Sequence, residues 1–158
     1  MAGLKVEERR IGGATYRVTQ LGFGAGRPAL IRFARMVAPA VAELAGAVGS
    51  LTAASAGAAL LETAIDGERL GRAFVAFLDR ATEDEIAWLC ETFAGRTLVR
   101  LDGSPAFVPL ADVMEIHFAG KYRDALAWIR FALEVNFADF FAGLDTGGAA
   151  ATLLSPKA

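Results

Sequence analysis

The stretch YRDALAWIRFALEVNFADFFAGL, from Tyr122 to Leu144, decides the reading of the fold. At roughly 100° per residue, Tyr122, Leu126, Ile129, Leu133, Phe137, Phe140 and Leu144 fall on one stripe, the pattern of a helix with a buried face. Ala125, Trp128, Phe131, Ala132 and Val135 widen the apolar zone until only a wedge with Arg123, Arg130 and Glu134 stays clearly polar. A helix that is apolar nearly all round is either central in a core or has a second face covered by a partner. Both readings stay open here. On the second, Trp128, Phe131 and Val135 are the expected protein-binding residues, because large aromatics contribute much binding energy once a partner desolvates them.

Moving toward the N-terminus, the helical pattern reaches back to Pro109, with Gly120 as the break between a short piece (Leu110 to Ala119) and the long one (Lys121 to Gly143). Thr97 to Leu101 and Ala106 to Val108 flank Asp102-Gly103-Ser104-Pro105, which reads as a short hairpin. Thr82-Glu83-Asp84-Glu85 is a capping box ahead of Ile86, Trp88, Leu89 and Phe93, so a helix starts at Thr82. Gly95 is placed to stop it. A further helical pattern runs from about Glu68 to Asp79, with Leu70, Phe74, Phe77 and Leu78 on one side.

The first twenty residues read as a hairpin, with Leu4, Val6, Tyr16 and Val18 as alternating apolar positions and Gly12-Gly13 between the runs. Gly22 to Gly26 is expected to be a glycine-rich linker, with a helix starting at Arg27-Pro28 and carrying Leu30, Ile31, Phe33, Val37, Val41 and Leu44. Pro39 is expected to kink or restart that helix. The expected fold class is mainly α (α+β): a helical domain with an N-terminal β-hairpin and a second short hairpin near residues 97–108. Residues 1–144 are expected to form a single domain, and 145–158 a flexible tail.

Charge and composition narrow the function. The sixteen basic residues are scattered, the net charge is −2, and Glu7-Glu8-Arg9-Arg10 cancels itself, so no phosphate-binding stripe forms and nucleic acid is not an expected partner. One cysteine and no secretory signal pattern point to a reducing cytoplasm. The uncharged run from Leu44 to Leu61 approaches the length of a bilayer span. It is mostly Ala, Gly, Ser and Thr, with weak transfer into lipid, so no membrane association is expected.

Few residues offer chemistry. His117 is the only histidine, and it reads as a half-buried structural residue. Cys90 lies in an apolar-periodic helix with nothing nearby to activate it. Glu83, Asp84 and Glu85 are explained by the macrodipole at a helix N-terminus. The glycines from Gly22 to Gly26 lack the spacing of either nucleotide-binding fingerprint and the lysine that follows a phosphate cradle. No catalytic, cofactor-binding or metal-ligating residue is assigned, and no cofactor is expected.

Three segments carry a resemblance: Ile11-Gly-Gly-Ala-Thr-Tyr-Arg-Val-Thr-Gln-Leu21, Leu30-Ile-Arg-Phe-Ala-Arg-Met-Val-Ala-Pro-Ala40, and His117-Phe-Ala-Gly-Lys-Tyr122 leading into Phe131-Ala-Leu-Glu-Val-Asn-Phe-Ala-Asp-Phe-Phe141. With them the chain resembles the tail assembly chaperones of long-tailed bacteriophages and prophages. The resemblance implies a non-enzymatic protein of the host bacterial cytoplasm. Its implied partners are the tape measure protein and the tail tube protein, and a homo-oligomer is compatible with it. The competing reading is a structural tail-completion or connector subunit of the particle. A membrane-active protein built on Leu44 to Leu61 and an enzyme using Cys90 or His117 are more distant alternatives.

Overall fold

The computed structural model describes residues 3–46, 75 and 77–142. The strands are β1 (Val6–Ile11), β2 (Ala14–Thr19), β3 (Thr97–Leu101) and β4 (Val108–Pro109). The helices are α1 (Phe23–Gly46), α2 (Glu83–Ala94), α3 (Leu110–His117) and α4 (Tyr122–Ala142). The chain separates into two compact units, one of Met1–Arg27 with Thr82–Asn136 and one of Pro28–Ala81 with Phe137–Ala158. The α+β class read from the sequence is the class observed.

The first unit is built on an antiparallel sheet in the order β1-β2-β3-β4. Both expected hairpins are present, the second with its return strand at Val108–Pro109 rather than Ala106 to Val108, and pairing of β2 with β3 joins them into one sheet, with Tyr16 opposite Val99 and Val18 opposite Thr97. That joint is a contact between residues about eighty positions apart, invisible to local pattern. Along β2 every second side chain, Ala14, Tyr16 and Val18, is buried, as are Thr97 and Val99 on β3. The pleat sends alternate residues to opposite faces, so these five define an inner face. Strand β1 lies at the edge and is rich in charge, as exposed edge strands commonly are.

The four charges of Glu7-Glu8-Arg9-Arg10 do not cancel among themselves. Glu7 pairs with Lys5 at 2.7 Å, Glu8 with Arg17 at 2.6 Å, Arg9 with Glu134 at 2.8 Å, and Arg10 with Asp102. Residues two apart on a strand share a side, so Glu7 meets Lys5 along its own strand, while Glu8, Arg9 and Arg10 find partners on β2, on α4 and just after β3.

The helix boundaries correct two expectations. Gly22 to Gly26 is not a linker. Helix α1 starts at Phe23, and the Gly22 carbonyl accepts the amide of Gly26 at 2.7 Å. Pro28 therefore sits in the second turn rather than at the first position, where it can donate no bond to the Gly24 carbonyl and its ring crowds that carbonyl. Of the kink or new start expected at Pro39, the new start is absent, since the chain stays helical to Gly46. Beyond Gly46, the Ala/Gly stretch and most of the Leu44 to Leu61 run lie outside the described residues, as do the Glu68 to Asp79 pattern apart from its last residues and the tail from Asp145.

The capping box at Thr82 forms as read: its hydroxyl accepts from the Glu85 amide at 3.3 Å, and the Glu85 carboxylate accepts from the Thr82 amide at 2.9 Å. Gly95 follows the last residue of α2 with a right-handed φ of −63°, so its left-handed freedom is not what ends the helix. Gly120, at φ 71°, does use that freedom between α3 and α4. In the second unit, Phe33, Phe77 and Phe137 are buried together, with Phe33 6.1 Å from Phe77 and 6.2 Å from Phe137 between ring centroids.

Candidate protein-binding surface

The three residues expected to face a partner are core residues. Trp128 is 0% exposed, Phe131 1% and Val135 2%. Trp128 stacks on Phe118 at 5.5 Å, and Phe118 stacks in turn on Tyr16 at 6.1 Å. The Trp128 indole N–H donates to the Thr97 hydroxyl at 3.1 Å, and that hydroxyl donates to the Phe93 carbonyl at 2.8 Å. A buried indole needs such an acceptor, and Thr97 supplies it from the inner sheet face. Phe131 lies beneath the Arg9 guanidinium, whose carbon is 4.4 Å from the ring centroid, a cation–π contact from the edge strand. The Val135 carbonyl accepts from Gln20 at 3.4 Å.

This arrangement explains the wide apolar zone of α4. The helix is central: Ile129, Ala132 and Leu133 are buried as well. The reading in which a second face waits for a partner is replaced by the central-core one. Tyr122, placed on the core stripe by the wheel, is instead 75% exposed, because it opens the helix at the edge of the unit. Phe140 and Leu144 carry no described side chain.

Large apolar side chains do remain in solvent, and two flank the turn between α3 and α4. Ile116 is 86% exposed on one side of Gly120 and Tyr122 is exposed on the other. The turn is tight: the Ala119 amide donates to Ile116 and the Lys121 amide to Phe118. Glu115, Lys121 and Arg123 are exposed around them. Exposed apolar groups rimmed by charge are the composition of a protein contact site. A wheel drawn on α3 alone would have found Ile116, since Leu110, Val113, Met114 and His117 share a face that it lies well off. Phe23, at the start of α1, is also exposed, under the Arg27 guanidinium.

Beneath the turn, His117 Nε2 and the Tyr16 hydroxyl are 2.6 Å apart, joining α3 to the inner sheet face. Burial holds His117 below its ordinary value; Lys121 pushes the same way and Asp124 opposes. A neutral ring accepting the Tyr16 O–H fits this shift. Burial, with Asp124 adding to it, raises Tyr16, so the phenol stays protonated. Cys90 is half-buried, and burial followed by Glu91 raises its thiol, the opposite of an activated nucleophile. Among the described residues no three His, Cys, Asp or Glu side chains gather as metal ligands do, and no helix is long and apolar enough to cross a membrane.

The chain matches the family described as phage tail assembly chaperone protein, TAC, over residues 12–149 of its 158. No curated protein and no solved structure matches it.

Proposed function

Because the chain belongs to the phage tail assembly chaperone family, we propose that it binds the tape measure protein and assists assembly of the tail tube around it, without catalysing a reaction. The observation that carries this reading is the pair Ile116 and Tyr122, large apolar side chains exposed on either side of one hydrogen-bonded turn. An apolar helix face of a partner, unstable in water by itself, loses its exposed area when laid against such a site. Each large side chain fully buried in this way contributes about 1.5–3 kcal/mol before the entropy of association is subtracted. The contact is therefore modest and reversible. Reversibility is what assembly requires of a factor that leaves the growing tail, in the cytoplasm of the host.

Trp128, Phe131 and Val135 support the contact from below rather than touching the partner. They fix α4 against the sheet, and α4 begins at Tyr122. Co-expression with a tape measure protein tests the reading. Soluble, co-purifying tape measure protein is expected with the wild-type chain, and insoluble tape measure protein with or without it would contradict the proposal.

A further inference from the structure

The sheet's outer face, opposite the one that receives Trp128, carries a second cluster. By register, Glu8 stands opposite Arg17, Thr15 opposite Arg100 and Arg10 opposite Thr15, so all five side chains share this face. None of them is buried. Phe107, from the connection between β3 and β4, lies among them with its centroid 4.0 Å from the Arg17 guanidinium carbon and 4.8 Å from that of Arg100.

Two of the three arginines are neutralised, Arg17 by Glu8 and Arg10 by Asp102. Arg100 makes no ion pair among the described residues. An arginine stacked on a ring is held in place while the N–H donors around its plane remain directed outward, the geometry that takes a carboxylate with two parallel hydrogen bonds. Phe107 adds an apolar surface beside that donor fork. The flanking Glu8 and Asp102 would repel a continuous polyanion such as nucleic acid, yet leave room for a single carboxylate.

We propose that this outer face docks an acidic segment of the tape measure protein, one carboxylate of which pairs with Arg100 while a neighbouring apolar side chain lies against Phe107. The inference rests on the assembly-chaperone reading and adds to it a second, charge-selective contact, distinct from the apolar one at Ile116 and Tyr122. Charge complementarity of this kind sets register and partner choice more than raw affinity.

The test uses the full-length tagged chain co-expressed with the tape measure protein, as wild type and as Arg100→Glu, Arg100→Gln and Phe107→Ala. Arg100→Glu is expected to reduce co-purified tape measure protein about tenfold or more, since like charges then meet, and Arg100→Gln and Phe107→Ala several-fold. Raising salt from about 0.1 M to about 0.5 M should weaken capture by the wild type more than by Arg100→Gln. Should Arg100→Glu fail to fold by circular dichroism, Arg100→Gln and its salt response decide.

Undiminished capture by both Arg100 variants, with wild-type capture intact, overturns this docking face and leaves the assembly reading standing. No capture by the wild type sinks both. If the wild type instead binds a labelled single-stranded oligonucleotide and Arg100→Gln loses that binding, the face is a phosphate site and the proposal is wrong.

Discussion

Trp128 joins an aromatic stack to a polar relay: its ring packs on Phe118, and its N–H reaches the Thr97 hydroxyl, which reaches Phe93. Truncation of Trp128 to alanine should cost about 3–5 kcal/mol in chemical denaturation, as for other large core aromatics. Thr97→Val keeps the volume but strands the indole donor, and should cost about 1–3 kcal/mol. Values under about 0.5 kcal/mol in both would place Trp128 on the surface instead. The sequence made the helix around Trp128 legible but not its neighbours. An indole in a nearly all-apolar helix fits a core or an interface equally well, and the acceptor that settles it lies thirty-one positions away, at Thr97.

His117 gives a residue-scale prediction in pH. Its folded-state pKa lies below the ordinary 6.5, so as pH falls from about 6.5 the unfolded chain takes up the proton first. Stability should therefore fall on acidification through that window, by at most about 1.4 kcal/mol per pH unit from this group. The groups that set the shift are the buried surroundings, Lys121 and Asp124, with the Tyr16 hydroxyl as partner. Urea midpoints measured from pH 7 to 5 should slope less in His117→Gln than in the wild type. An identical slope would mean the ring is solvated and unconstrained.

Among the elements, α2 and the first hairpin were readable because the chemistry that starts them is local. Thr82 and Glu85 cap one another within four residues, and Thr82→Ala should lower stability by about 1 kcal/mol in thermal or urea melts. Gly12 turns β1 into β2 at φ 58°, and a Cβ there would stand 2.5 Å from an Asp124 oxygen. Gly12→Ala should cost about 1–2 kcal/mol from the left-handed backbone. Asp124→Ala in the same chain should recover little of that, because a carboxylate end can swing aside. The elements misread were those governed by continuity or distance. Helix α1 extends through glycines and Pro39 because each breaks at most one bond in a long ladder, and β2 pairs with β3 only after the chain has returned from residues 28–81.

For the molecule as a whole, the fold class and the family were both legible, the first from hydrophobic period and caps, the second from segments spread along most of the chain. The exposed apolar pair proposed as the contact surface was not, since it depends on which apolar residues the packing leaves over. Ile116 and Tyr122 are the test of that remainder. Ile116→Asp and Tyr122→Ser should change stability by no more than about 0.5 kcal/mol, because both side chains already face water, while reducing capture of the tape measure protein. Loss of the fold in both variants would show that these side chains are needed for packing.

A protein that assists assembly and then departs is distinguished from a structural subunit by quantitative mass spectrometry on tail assembly intermediates and on purified finished particles from the same culture. This chain is expected alongside the tape measure protein in the intermediates and absent from the finished particles. Stoichiometric presence in finished particles would instead identify a structural subunit of the tail.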